Sequence, residues 1–221
     1  MKSEIKIMAV ILVIVIVGAF VGANYYRGSV QQERQPTTPN STLIRDDSPT
    51  LGPADAKVTI VEFLDPECES CASFAPTVKK ILKDYDGKTR LVVRYMPLHP
   101  NSMRAATFLE AAGEQGKYWQ AQEMLFEKQG EWGTRHGPAT GAPPPDIGKL
   151  FDGYAQSLGL DLEKVDAAAK ENRYAAKLDR DRRDGQSLGV RQTPTFFVNG
   201  RQVVRFGETD LRTMIEEEMK K

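Results

Sequence analysis

The sequence predicts one α/β domain of about 170 residues, with strands at its two ends and helices between them. Three observations predict it. Lys57 to Asp65 (KVTIVEFLD) is apolar on both faces, as a central strand covered on two sides must be. Phe74, Ala75, Val78, Ile81 and Leu82 then recur at helical spacing as far as Tyr85. Near the C-terminus, Gln192 to Gly200 reads as a turn into an apolar strand closed by the Asn199-Gly200 hairpin signal, with Arg201 to Phe206 returning as the partner strand.

Charge narrows the function little. Lys+Arg and Asp+Glu both total 30 among 221 residues, so the formal net charge is zero. Nucleic acid is therefore not an expected partner, and no acidic tail argues for disorder.

The N-terminus is more informative. Ile7 to Ala23 carries no charge and follows Lys2 and Lys6. A bilayer core needs roughly 17–25 helical residues, whereas a signal peptide's apolar region runs to about 7–15. Residues 1–27 thus read as a signal sequence or a retained transmembrane anchor. Length favours an anchor over 7–26, with Tyr25-Tyr26-Arg27 at the interface, although Val21-Gly22-Ala23 offers a cleavage site. Either outcome puts the remaining chain outside the cytoplasm. Residues 28–50 are rich in Gln, Thr, Ser, Pro and charge and read as a disordered linker. The domain is then expected over 51–221.

The chain has two cysteines, Cys68 and Cys71, which excludes a multi-bridge scaffold. They fall where the buried strand ends and the helix begins. A helix N-terminus carries partial positive charge and unpaired N–H groups, both of which favour a thiolate. Cysteine pKa values drop from about 8.5 to roughly 3.5–7.5 in such places. Cys68, nearer the helix start, is expected to attack, and Cys71 to resolve the mixed disulfide. Other readings are a zinc or copper site, or a purely structural pair. A tetrahedral metal site would need further ligands, and neither His99 nor His136 is spaced as part of a ligand pair.

Glu62 shares the strand face of Val58, Ile60 and Leu64. A carboxylate on an apolar strand is costly to ionise, so its pKa should rise toward neutrality. That suits a group passing protons to and from Cys71; the alternative is a strand-end Glu reaching water. His99 follows the expected strand Leu91–Leu98 on the same edge as Asp65 and reads as a solvated loop residue. Pro76 should bend its helix. Thr209 is placed to cap a last helix from Asp210 to about Met219.

Together the acid in Val61-Glu62-Phe63, the Cys68-Glu69-Ser70-Cys71 centre, Pro76 and Thr193-Pro194 resemble the thioredoxin superfamily, and more closely its DsbA-like branch. The resemblance covers about 51–221. It implies a thioredoxin-like fold with a helical insertion at about 100–188. The sequence supports that insertion independently, with helical patterns at Ala105–Ala112, Tyr118–Lys128, Ile147–Leu158 and Leu162 to about Gly185. It also implies that Pro194 is cis and faces the disulfide, and that Thr193 offers backbone groups to substrate. No cofactor is implied beyond the Cys68–Cys71 disulfide. The implied partners are cysteine-containing exported proteins and a redox partner that resets the disulfide.

Direction is less legible. Strongly oxidising relatives carry Pro-His between their cysteines, and this chain has Glu69-Ser70. Asp65, Glu67 and Glu69 should oppose thiolate formation, so a Cys68 pKa near thioredoxin's and a less oxidising couple are expected. Dithiol oxidase is read ahead of reductase and isomerase. Isomerases of this kind dimerise through a folded N-terminal domain, so the tether points to a monomer.

Overall fold

A computed structural model describes residues 16–23, 40–134 and 145–221. The chain divides into two units, Met1–Thr37 and Thr38–Lys221. In the first, residues 16–23 are helical and Ile16, Val17, Phe20 and Val21 are exposed. Among the described residues no helix is long and apolar enough to cross a membrane. The rest of the expected 7–26 span, and residues 28–39 of the expected linker, lie outside the described residues.

The second unit opens with α1 (Asn40–Leu43), β1 (Thr50–Leu51), β2 (Val58–Leu64), α2 (Glu69–Asp84) and β3 (Thr89–Tyr95). Among the described residues six helices follow: α3 (Ser102–Gly113), α4 (Tyr118–Glu127), α5 (Gln129–Trp132), α6 (Ile147–Ser157), α7 (Leu162–Lys170) and α8 (Ala175–Ser187). The chain closes with β4 (Thr195–Val198), β5 (Arg201–Gln202) and α9 (Glu208–Lys220). The sheet order is β1-β3-β2-β4-β5. Strand β2 is central, parallel to β3 and antiparallel to β4. The helices α3 to α8 thus separate a βαβ half from a ββα half.

The two faces of β2 divide as the sequence predicts. Val58, Ile60 and Leu64 enter a large core with α2, α9 and the inserted helices, while Val61 and Phe63 enter a smaller one. On the smaller side α8 packs against the sheet at Gly185, where a β-carbon would sit 3.1 Å from the Phe63 ring. In the insertion, Phe151 packs on Phe108 and Trp132 at centroid distances of 5.0 and 5.5 Å.

Four details differ from the sequence reading. The folded unit begins at α1 rather than residue 51. Leu43 is fully buried in the smaller core, and Arg45 pairs with Asp184 at 2.9 Å. Arg94, itself fully buried, donates to the carbonyls of Thr42 and Leu43 at 2.7 and 2.8 Å and pairs with Asp181 and Asp184. A polar composition concealed a segment whose anchors lie on β3 and α8.

The helical pattern from Leu162 to Gly185 is two helices. Asn172 adopts φ +48°, while the amides of Arg173 and Asn172 donate back to Ala168 and Ala169. That backbone signature ends α7, and Asn tolerates it better than most residues. Strand β5 is shorter than the expected Arg201–Phe206. Thr209 lies inside α9, with Gly207 in the N-cap position.

The hairpin agrees with expectation. Asn199 and Gly200 both have positive φ, +45° and +84°, as a type I′ turn requires.

Candidate active site

Strand β2 delivers the chain from a buried sheet into the turn Asp65-Pro66-Glu67, and α2 starts immediately after. Cys68 takes the N-cap position in extended conformation, with its carbonyl accepting from Ala72 N–H at 3.1 Å. Cys71 lies in the first turn and is fully buried, whereas Cys68 keeps 8% of its surface exposed. Both are free thiols. Pro76 lies inside α2 and leaves the Ala72 carbonyl without its usual helical donor.

The structure brings the second sequence element to the first. The sulfur of Cys68 approaches the carbonyl oxygen of Thr193 at 3.3 Å, and the Thr193-Pro194 peptide is cis. Beneath, Glu62 is 5% exposed on the apolar face that also carries Cys71.

The three titratable groups are driven apart. Hydrogen bonding with Cys71 lowers Cys68 most; burial opposes it, while Thr193 and the amides of Cys71 and Ser70 assist, leaving the thiol at about 5. Burial pushes Cys71 up, and its bond to Cys68 and the charges of Glu62 and Cys68 act the same way. Burial, then the Cys68 charge, raises Glu62 to about 8. At neutral pH the site therefore holds one thiolate, one thiol and one carboxylic acid.

The acidic residues of the turn behave differently from the sequence expectation. Asp65 is fully buried, and its carboxylate accepts the Glu67 and Leu98 N–H groups at 2.9 and 2.7 Å. His99 Nδ1 reaches the same carboxylate at 2.7 Å. Since an ionised carboxylate can only accept, Nδ1 carries the proton. Glu67 accepts from the Asn101 amide and side chain and from the amide and hydroxyl of Thr134 at 2.5–2.8 Å. Burial would raise Glu67, but these donors outweigh it and lower its pKa. Both negative charges are thus met by donors, which blunts the repulsion expected at Cys68.

His99 is no freely solvated loop residue. Burial would depress it, yet its bond to Asp65, the charge there, and the charges of Cys68 and Glu67 raise its pKa. Asn101, Thr134 and Gln129, which donates to the Pro66 carbonyl at 3.1 Å, escaped sequence reasoning. Their partners lie 34 to 67 residues away, and no local pattern marks such pairs. Among the described residues no group of three or more His, Cys, Asp and Glu side chains is arranged to hold a metal ion.

Comparisons with known proteins agree with this architecture. A family model described as thioredoxin matches residues 45–217. Oxidised BdbD from Bacillus subtilis superposes with a TM-score of 0.68 at 28% identity, covering 79% of this chain and 94% of that one. A thioredoxin-like oxidoreductase from Silicibacter pomeroyi DSS-3 gives 0.67 at 27% identity, covering 83% and 99%. The thiol–disulfide exchange protein α-DsbA2 from Wolbachia pipientis, at 18% identity and 0.63, shares the fold over 80% of this chain and 90% of its own. Among curated sequences, a Na(+)/H(+) antiporter NhaA 1 of Salinispora arenicola is 37% identical over 154 residues, 68% of this chain. The chain spans about a fifth of the length of the curated relatives it matches, 21% in that case. The chain belongs to the thioredoxin family and, within it, is similar to the DsbA-like thiol–disulfide oxidoreductases.

Proposed function

We propose that this chain is an extracytoplasmic thiol–disulfide oxidoreductase whose redox group is the Cys68–Cys71 pair, working as a dithiol oxidase. One observation carries the reading. Cys68 sits at a helix start against the Thr193 carbonyl with its pKa near 5, while Cys71 stays protonated above the buried acid Glu62.

In the oxidising direction a substrate thiolate attacks Cys68 of the disulfide, forming a substrate–Cys68 bond and expelling Cys71 with the S–S electron pair. Glu62, protonated at neutral pH, supplies the proton that Cys71 takes up. A second substrate thiolate then attacks the substrate sulfur of the mixed disulfide, and Cys68 leaves as a thiolate. Two electrons pass from the substrate dithiol to the cysteine pair, and an external redox partner must remove them. A low Cys68 pKa makes it a good leaving group and stabilises the reduced protein, which favours oxidation of substrates. The reductase reading runs the same steps backwards.

The substrates are cysteine-containing exported proteins, held along the Thr193-Pro194 edge, and the disulfide needs no further cofactor. The apolar sequence Ile7–Ala23 supports export and anchoring through residues 7–26. The domain is expected to act as a monomer without nucleic acid. Equilibration with glutathione buffers tests the direction. An oxidase should settle above about −200 mV, whereas a value near thioredoxin's roughly −270 mV would establish a reductase.

A further inference from the structure

We propose that Arg191, with the apolar cleft beside it, selects substrates whose reacting cysteine is flanked by a large apolar residue and an acidic one. The proposal rests on the exchange chemistry inferred above and names the substrate feature that this site reads.

The cleft lies against the loop that meets the nucleophile. Its walls include Arg191, Pro194, Phe196, Gln202, Val204 and Phe206, and its volume is about 160 Å³. An apolar cavity of about 150 Å³ accepts a benzene ring, so this space takes one phenyl or branched aliphatic side chain. Pro194 follows Thr193, whose carbonyl lies 3.3 Å from the Cys68 sulfur, so one end of the cleft adjoins the reacting atom. Another wall rests on the redox helix itself. The Phe206 ring packs on Phe74 of α2 at a centroid distance of 4.6 Å, and Phe74 packs on Phe196 at 5.6 Å.

The backbone around the cleft is fixed by its own hydrogen bonds. Gly189, at φ +78°, turns the chain out of α8. Thr195 Oγ1 then donates to the Gln192 carbonyl at 2.7 Å, and Val203 N–H donates to the Phe196 carbonyl at 2.8 Å. Val204 and Phe206 nevertheless stay 68% and 50% exposed, so apolar surface is left open for a ligand to cover.

Charge supplies the second half of the selection. Arg191 is the one charged residue among the described walls. It is exposed and, among the described residues, forms no ion pair or side-chain hydrogen bond. Arg205, on the neighbouring loop, is by contrast engaged by Asp210 at 2.9 Å. A guanidinium without an internal partner at the rim of an apolar cleft favours a carboxylate on the segment that fills it. Glu69, next to the nucleophile on α2, is exposed and unpaired as well. An acidic neighbour is therefore favoured only in the register that carries it to Arg191. An extended segment points alternate side chains the same way. With the substrate cysteine on Cys68, the residue two places along faces the cleft, and the acid belongs beside that residue, at the rim.

Oxidation of peptide dithiols, with glutathione disulfide as the re-oxidant, tests both halves. The peptides carry Ala or Phe two residues from one cysteine and Gln, Glu or Lys three residues from it, placed before or after that cysteine in separate peptides. In one placement, wild-type kcat/KM should be about tenfold higher for Phe than for Ala. In that placement Glu should exceed Lys about three- to fivefold at low salt, with Gln between them, and high salt should erase the difference. Arg191→Glu should invert the Glu-to-Lys ranking and keep the preference for Phe, an inversion that a merely structural role would not produce. Phe206→Ser should weaken the preference for Phe and keep the Glu-to-Lys ranking. A wild-type Phe-to-Ala ratio within twofold in both placements overturns the role of the cleft. A ranking of Glu and Lys that is absent from wild type, insensitive to salt, or unchanged in Arg191→Glu overturns the role of Arg191. The wild-type comparisons need no variant, so a substitution that fails to fold leaves the proposal open to refutation. Wild-type protein that oxidises no peptide and never equilibrates with glutathione would instead overturn the exchange reading itself.

Discussion

The sulfur of Cys68 lies 3.3 Å from the carbonyl oxygen of Thr193, although the two residues are 125 positions apart in sequence. A protonated thiol donates to that carbonyl, and the Thr193 side chain separately lowers the Cys68 pKa. The two contributions can be separated. Thr193→Val keeps the carbonyl and removes the hydroxyl, so the Cys68 midpoint should rise by about half to one unit. Absorbance titration near 240 nm reads it, and an unmoved midpoint would assign the effect to the main chain alone.

The opposed titration of the two cysteines predicts different consequences for their serine variants. Cys71→Ser should accumulate a stable mixed disulfide on Cys68 when given an oxidised peptide, visible as a mass adduct. Cys68→Ser should form none at neutral pH, because Cys71 is buried and its pKa is raised. An adduct on Cys71 would reverse the assignment of attacking and resolving thiols.

Glu62 links proton transfer to stability. Its pKa in the folded reduced protein is about 8, raised from an ordinary 4.5. The fold therefore holds a proton that the unfolded chain has released, so this contribution is full below about pH 4.5 and is lost as pH rises toward 8. Each unit of displacement corresponds to about 1.4 kcal/mol. Glu62→Gln, uncharged at every pH, should be more stable than wild type at pH 8 and above in denaturant melts. It should also slow expulsion of Cys71 at pH 7 by on the order of 10²-fold in stopped-flow exchange. Cys68, lowered from 9.0 to about 5, contributes the opposite slope in the reduced protein. The difference in stability between Glu62→Gln and wild type is therefore the readout, and a difference that stays constant between pH 5 and 8 would contradict the buried acid.

Arg94 predicts a purely structural loss. It is fully buried, ion-paired to Asp181 and Asp184, and hydrogen-bonded to the carbonyls of Thr42 and Leu43. Arg94→Ala would remove the buried cation at Asp181 and leave it only the partly exposed Arg180 at 3.5 Å, at a cost of about 3–5 kcal/mol in thermal or urea unfolding. The Cys68 midpoint should not move, because the cluster lies against the opposite sheet face from Glu62 and Cys71. Gly185→Ala offers a milder probe of that face. Its new β-carbon would meet Phe63 at 3.1 Å and Met96 at 3.2 Å, and overpacking of this kind costs about 1–3 kcal/mol.

The sequence by itself determined the two-sided burial of β2, the helix that starts at the cysteines, the Asn199-Gly200 hairpin and the helical middle of the chain. These depend on interactions among residues two to four apart, so periodicity and turn chemistry record them. Glu62 was legible for the same reason: a carboxyl at an apolar strand position announces its own desolvation. Only the tertiary structure decided that Leu43, Arg45 and Arg94 bind the first folded residues to α8, and that Asn172 divides the pattern after Leu162. It alone decided that Asp65 and Glu67 are satisfied by Leu98, His99, Asn101 and Thr134 instead of repelling the thiolate. The physical reason is range. A charge reads the same in sequence whether it faces water or a donor 34 residues away, and the register of β2 against β3 places Asp65 beside His99. The two cysteines were written locally. Their electrostatic setting is a property of the sheet edge on which they sit.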